Sequence, residues 1–231
     1  MTRGMLGLMG GAEFKAGNFF DEEFIKAADA KEVVVLPTAA AYLDRNQLHK
    51  QAQEWFYNFG AQAKILDVYS RGDALSEENA AVVRGAQMIY VVGGSPMHLR
   101  SVMMRSAVWD ALEAAWADGA SLVGSGAGGD VMCDAMVDPR GGAFTVGLGL
   151  LHNLTFIPRY NLWSRDKVRR TVQLASPNLP VVGVALQTAL IAEIAEGEIS
   201  WRTVGQGEVA MFLDGKEVDI SVLPSLEQIL D

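Results

Sequence analysis

The residues that could do chemistry concentrate in one stretch, Leu122-Val123-Gly124-Ser125-Gly126-Ala127-Gly128-Gly129-Asp130, where a strand-like apolar run enters a helix through a glycine-dense turn. The frame is that of G-x-S-x-G, a nucleophile elbow. In such an elbow a strained turn lifts a serine above the sheet, and the N–H of the next residue helps bind the oxyanion of acyl transfer. Small flanking residues are required because the turn backbone lies close to neighbouring strands. Those small residues are present here, but the serine position of the frame holds Gly126. Tight packing and a phosphate cradle are the alternative readings of a glycine-rich turn. The spacing matches neither G-x-G-x-x-G with its acidic partner nor a P-loop with its lysine. Ser125, one step before the nucleophile position, is the candidate substitute nucleophile; its simpler role is that of a structural turn residue.

The elements that must position this turn follow from hydrophobic periodicity. Met5 to Met9, Glu32 to Pro37, Lys64 to Val68, Met88 to Val92 and Ser121 to Val123 are strand-length apolar runs. Helices separate them at Phe19 to Ala28, Arg45 to Phe59, Ser76 to Arg84 and Ala107 to Ala117, and Gly93-Gly94-Ser95-Pro96 turns sharply into a segment from Met97 to Met104. Strands alternating with helices predict an α/β fold with a doubly wound, mostly parallel sheet flanked by helices, whose sites lie at the carboxyl ends of strands. Asp138 to Gly142 reads as a turn. Beyond it come short runs at Thr155 to Ile157, Val181 to Ala185, Ala189 to Glu193, Ile199 to Thr203 and Glu208 to Leu213. With hairpin dipeptides at Glu196-Gly197 and Asp214-Gly215, they predict antiparallel strands added to an edge of the sheet, before a last helical turn near Leu226 to Leu230. No linker or repeat interrupts residues 1–231, so one domain is expected.

With the elements in place, the chain resembles the serine peptidase family that contains dipeptidase E (aspartyl dipeptidase) and cyanophycinase, whose fold is similar to that of class I glutamine amidotransferases. Gly124-Ser125-Gly126-Ala127-Gly128-Gly129 resembles that family's G-[ST]-S-A-G-A elbow except at the nucleophile and the last small residue. Gly10-Gly11-Ala12-Glu13 resembles its early glycine turn, Leu36-Pro37-Thr38-Ala39-Ala40 a strand end, and Val92-Gly93-Gly94-Ser95-Pro96 the turn whose backbone completes the oxyanion hole. Gly147-Leu148-Gly149-Leu150 matches the segment before the histidine strand, but Pro158-Arg159-Tyr160 carries Arg159 where the family has its catalytic histidine. Gly183 to Ala189 keeps the frame of a late G-I-D-E-x-T-A segment without its carboxylates.

The resemblance therefore implies a family fold with altered chemistry. Arginine cannot act as a general base near neutral pH, and losing serine or histidine from such a triad costs on the order of 10⁶ in kcat. The expectation is a non-catalytic homologue that binds a small anionic ligand, an acidic peptide or a protein partner; the alternative is an altered serine-type hydrolase acting on small acidic peptides through Ser125. The residues expected to surround a ligand are Gly93, Gly94, Ser95, Ala127, Arg159, Tyr160 and His98, with Trp163 a further wall and Arg165, Arg169 and Arg170 beyond. Asp130 and Asp134, spaced as on one helix face, lack a third ligand, so neither a metal nor another cofactor is expected.

Composition narrows the classes. Nineteen Lys and Arg against twenty-eight Asp and Glu give a net charge of −9, with no basic stripe for nucleic acid. Half of the residues are hydrophobic, enough for a sizeable core, and the apolar runs are too short to span a membrane. The single Cys133 forms no intrachain disulfide, and the N-terminal MTRGMLGLMGG lacks the features of a signal peptide, so a cytoplasmic setting is expected. Ten Met and five Trp, with the family resemblance, suggest a homodimer.

Overall fold

The apolar runs of the first half become strands buried on both faces. In chain order they form β1 (Leu6–Met9), α1 (Asp21–Ala27), β2 (Glu32–Leu36), α2 (Arg45–Tyr57), β3 (Gln62–Ile65), α3 (Arg71–Ala74), α4 (Glu77–Arg84), β4 (Met88–Val91), α5 (Pro96–Met103), α6 (Ala107–Ala117) and β5 (Ser121–Ser125). The five strands pair in parallel in the order β1-β5-β4-β2-β3. This computed structural model describes residues 3–140 and 142–231; Met1, Thr2 and Gly141 of the expected turn lie outside the described residues.

Alternate strand side chains feed two cores. Val34, Leu36, Ile89 and Leu122 pack with Val108, Leu112 and Trp116 of α6, while Val33, Val35, Tyr90 and Val123 pack with Phe24 of α1 and Trp55 and Phe56 of α2. That two-sided burial is why β2 reads as a continuous β-branched run rather than an alternating one. Short polar side chains start the helices: Asp44 accepts from the Gln47 N–H at 3.1 Å and Ser106 from the Trp109 N–H at 3.2 Å. β3 pairs with β2 over Gln62–Ile65, earlier than the expected Lys64 to Val68, and Val68 is buried beyond the strand.

The second half continues with α7 (Ala127–Asp130), β6 (Ala135–Val137), β7 (Phe144–Val146), β8 (Thr155–Pro158), α8 (Arg165–Leu174), β9 (Val181–Val184), β10 (Thr188–Ala195), β11 (Glu198–Gly205), β12 (Val209–Leu213), β13 (Lys216–Val218) and α9 (Leu226–Leu230). Only β10 and β11 join the main sheet, beside β1, making it seven-stranded; β13-β12-β9-β8 is a separate sheet, and β6 pairs with β7. The expectation that all added strands extend one edge is corrected accordingly. Both hairpin dipeptides behave as written: Glu196 and Gly197 have φ of 54° and 84°, Asp214 and Gly215 of 49° and 82°.

The helix after the elbow is much shorter than its sequence suggests. The chain leaves it after Asp130 because the N–H groups of Leu148 and Leu151 claim the Val131 and Met132 carbonyls at 2.7 and 2.9 Å. Cys133 consequently sits in a β-bridge with Leu151. Asp130 and Asp134 share no helix face: the first is buried and the second exposed.

One buried acid sets a pH dependence for the fold. Asp21 of α1 is fully buried, with Oδ2 accepting from Trp55 Nε1 at 2.8 Å and Oδ1 unpartnered among the described residues. Desolvation pushes its pKa from 3.8 up to about 8, against the Trp55 hydrogen bond and with Glu13 adding to the rise. Between those values the folded state holds a proton that the unfolded chain releases, so stability falls as pH rises from about 4 to about 8. Asp21→Asn keeps an acceptor for Trp55 and removes the ionisation. Thermal melts across that range should show a shallower slope for the variant and, at pH 8, a gain of several kcal/mol; an unchanged slope would mean that Asp21 is not the protonated group.

Candidate active site at the elbow

The carboxyl ends of β1, β4 and β5 meet at the turn that the sequence singled out. Gly126 has φ 53° and ψ −114°, a conformation that L side chains rarely adopt, yet a Cβ placed there would meet only Gly93 Cα, at 3.7 Å. A positive-φ elbow between strand and helix is thus present, with room for a side chain and none in place. Two residues on, a Cβ on Gly128 would fall 2.3 Å from the Val91 carbonyl, so α7 and β4 meet backbone to backbone. Above the turn is a small pocket of about 100 Å³, lined by Gly94, Ala127, Asp130, Pro158, Arg159 and Trp163 among others. The N–H groups of Gly94 and Ala127 donate to no acceptor among the described residues.

Arg159 reaches this pocket from the end of β8. Its backbone is left-handed, with φ 55° and ψ 35°, and its N–H donates to the Gly10 carbonyl at 2.9 Å, which ties β8 to the end of β1. The side chain is exposed, passes over Gly11, and forms no ion pair among the described residues. Across from it, Asp130 is only 1% exposed. Its Oδ1 accepts from the Val137 N–H at 3.1 Å, and burial, with nearby Asp138, pushes its pKa well up.

The remaining sequence candidates lie outside the pocket. Ser125 is fully buried on the face of β5 that packs toward α1 and α2, and its hydroxyl donates to Glu13 Oε2 at 3.0 Å. The other oxygen of Glu13 accepts from the Gly93 N–H, also at 3.0 Å, so an internal carboxylate already occupies that donor. The Ser95 hydroxyl caps α5 through the His98 N–H. His98 points the other way, with Nε2 3.0 Å from the Tyr69 carbonyl and Nδ1 3.5 Å from the Tyr42 hydroxyl. Tyr160 stands beyond Trp163, against Gly183 and Phe212, in a separate groove of about 460 Å³ that also holds Arg165, Arg169, Glu208 and Glu217. His49 is remote, 3.2 Å from Asp67. No group of three metal-ligating side chains occurs among the described residues.

Glu13 is the residue that sequence reasoning passed over. It is flanked by Ala12 and Phe14, both at positive φ (63° and 58°), a conformation costing about 1–2 kcal/mol per residue. Asn18 Nδ2 bonds the Ala12 carbonyl at 2.5 Å, and Phe14 packs on Tyr90 and Phe56, which together hold the loop in place. Two non-glycine residues forced left-handed around one carboxylate are visible only once the backbone is known.

The central strand of the parallel sheet thus runs through a positive-φ elbow into a helix, beside two N–H groups that donate to no acceptor among the described residues. Residues 6–199 match the profile of Peptidase family S51, and the chain belongs to that family. Its fold is also that of solved structures. A peptidase from an acI-B1 Actinobacterium superposes with a TM-score of 0.80 at 24% identity, covering 95% of this chain and 98% of that one. A peptidase E-type protein from Listeria monocytogenes EGD-e gives 0.67 at 18% identity, covering 89% and 100%. No curated protein matches the chain significantly. Among the described residues, no helix is long and apolar enough to cross a membrane.

The two elbow glycines should respond oppositely to substitution. Gly126→Ser meets open space and pays only for its backbone, about 1 kcal/mol, whereas Gly128→Ala drives a methyl into the Val91 carbonyl and should cost more than about 3 kcal/mol or prevent folding. Urea melts of the two variants test this, and equal losses would refute the elbow geometry.

Proposed function

We propose that this chain is a non-hydrolytic member of its peptidase family that binds a small ligand through a carboxylate at the elbow. The observation that carries the reading is the pairing of a bare Gly126 with Arg159: the elbow backbone is kept, no hydroxyl stands on it, and an arginine with no ion-pair partner among the described residues lines the pocket. A serine triad needs a nucleophile and a base within hydrogen-bond reach, and neither group is at hand. Two unclaimed N–H groups and an arginine instead make a set of donors suited to a carboxylate. An aspartyl dipeptide or another short acidic peptide has the right chemistry.

The second reading, hydrolysis through Ser125, draws support from one contact, the 3.0 Å hydrogen bond to Glu13, which gives that hydroxyl a carboxylate partner. Against it stands burial: Ser125 has no exposed surface and faces the core rather than the pocket.

Calorimetry and an amine-release assay with aspartyl dipeptides separate the two. The expected outcome is binding without turnover, with affinity falling about tenfold or more in Arg159→Gln. Weak turnover should appear when Gly126→Ser and Arg159→His are combined. Wild-type turnover that disappears in Ser125→Ala would reverse the assignment.

A further inference from the structure

Asp130 is a carboxyl group that the elbow chemistry leaves unused, and its surroundings are unusual for an acid. It is nine-tenths or more buried, it closes α7 four residues after Gly126, and it lines the same pocket as Arg159. One oxygen is satisfied by the Val137 N–H. The other accepts from no donor among the described residues, and no cation lies within ion-pair distance. A carboxylate buried in that state is strongly disfavoured, because it has lost water without gaining a counter-charge.

The groups around it push the same way. β1, β5 and β8, which pack on α7, present no charged side chain. On α5, His98 is turned toward Tyr42 and Tyr69, and Arg100 bonds the Val146 carbonyl. Asp138, beyond β6, adds negative charge, and Cys133 is itself a buried thiol pushed up by burial and by Asp130. Arg159 is the one cation on the pocket wall, and no ion pair joins it to Asp130.

We propose that Asp130 is a specificity residue of the elbow pocket, standing there as a neutral carboxylic acid whose O–H donates to the carboxylate of the bound ligand. This inference rests on the proposed binding function and makes it narrower. Arg159, the Gly94 and Ala127 N–H groups and a protonated Asp130 are all donors, so the pocket selects a group made only of acceptors. A carboxylate satisfies that set, whereas an amide or an ammonium group leaves donors facing donors. Burial raises the Asp130 pKa, and the same residue lines the pocket. Binding should therefore weaken as pH rises through that pKa, when an ionised Asp130 repels the ligand.

Asp130→Asn and Asp130→Leu test the protonation state and the contact together. The probe is succinate, with N-acetyl-L-aspartate as a second diacid and succinamide as the neutral control, measured by calorimetry at pH 7 on the full chain. Asn preserves an oxygen for Val137 and supplies an N–H donor, so its affinity should stay within about threefold of wild type, while Leu should lose about tenfold or more. Circular dichroism melts of both variants check that each is folded. If Leu does not fold, the Asn result still decides. A large gain of affinity in Asn means that Asp130 is ionised and repulsive, and overturns the inference. A folded Leu variant that binds like wild type removes Asp130 from the contact and also overturns it. If wild type binds neither diacid at any pH, it is the binding function itself that fails, and this inference goes with it.

Discussion

The site depends on one close approach, that of the α7 backbone to the β4 backbone at Gly128, where a methyl group would overlap the Val91 carbonyl. With no side chain between them, the first turn of α7 is drawn down onto the sheet. The chain must then reverse sharply between β5 and α7, and Gly126 takes the positive φ that the reversal requires. The elbow is thus imposed by packing around it, not by anything the residue at position 126 does. This explains how the turn, the pocket and two N–H groups unclaimed among the described residues coexist with a glycine at position 126.

Much of this architecture was legible in the sequence because the signals were local. Continuous apolar runs marked the parallel strands, and Glu196-Gly197 and Asp214-Gly215 marked hairpins through backbone preferences carried by single residues. The glycine density around Gly126 likewise pointed to the elbow, since backbone proximity leaves its trace in composition.

What could not be read depends on partners distant in sequence. The length of α7 is set by Leu148 and Leu151, whose N–H groups take carbonyls that a longer helix would have used. Glu13 lies 112 residues from Ser125 and 80 from Gly93, so nothing near it in sequence announces that its carboxylate bridges both. Asp130 was spaced as one of a helix-face pair with Asp134, and only the fold shows the first buried and the second exposed. The separate β13-β12-β9-β8 sheet was missed for a related reason: the strands themselves were visible, but their choice of neighbours is a tertiary decision.

The φ of 53° at Gly126 also bears on the direction in which such a chain can drift. A serine held in that conformation stores strain, and its hydroxyl adds no packing to offset it. Replacing it by glycine releases the strain and leaves every neighbouring contact in place. A glycine at this turn is the relaxed counterpart of a serine, so substitution toward glycine runs downhill in folding free energy and substitution back runs uphill. An elbow maintained by its surroundings therefore accepts glycine at its turn without any loss of the scaffold.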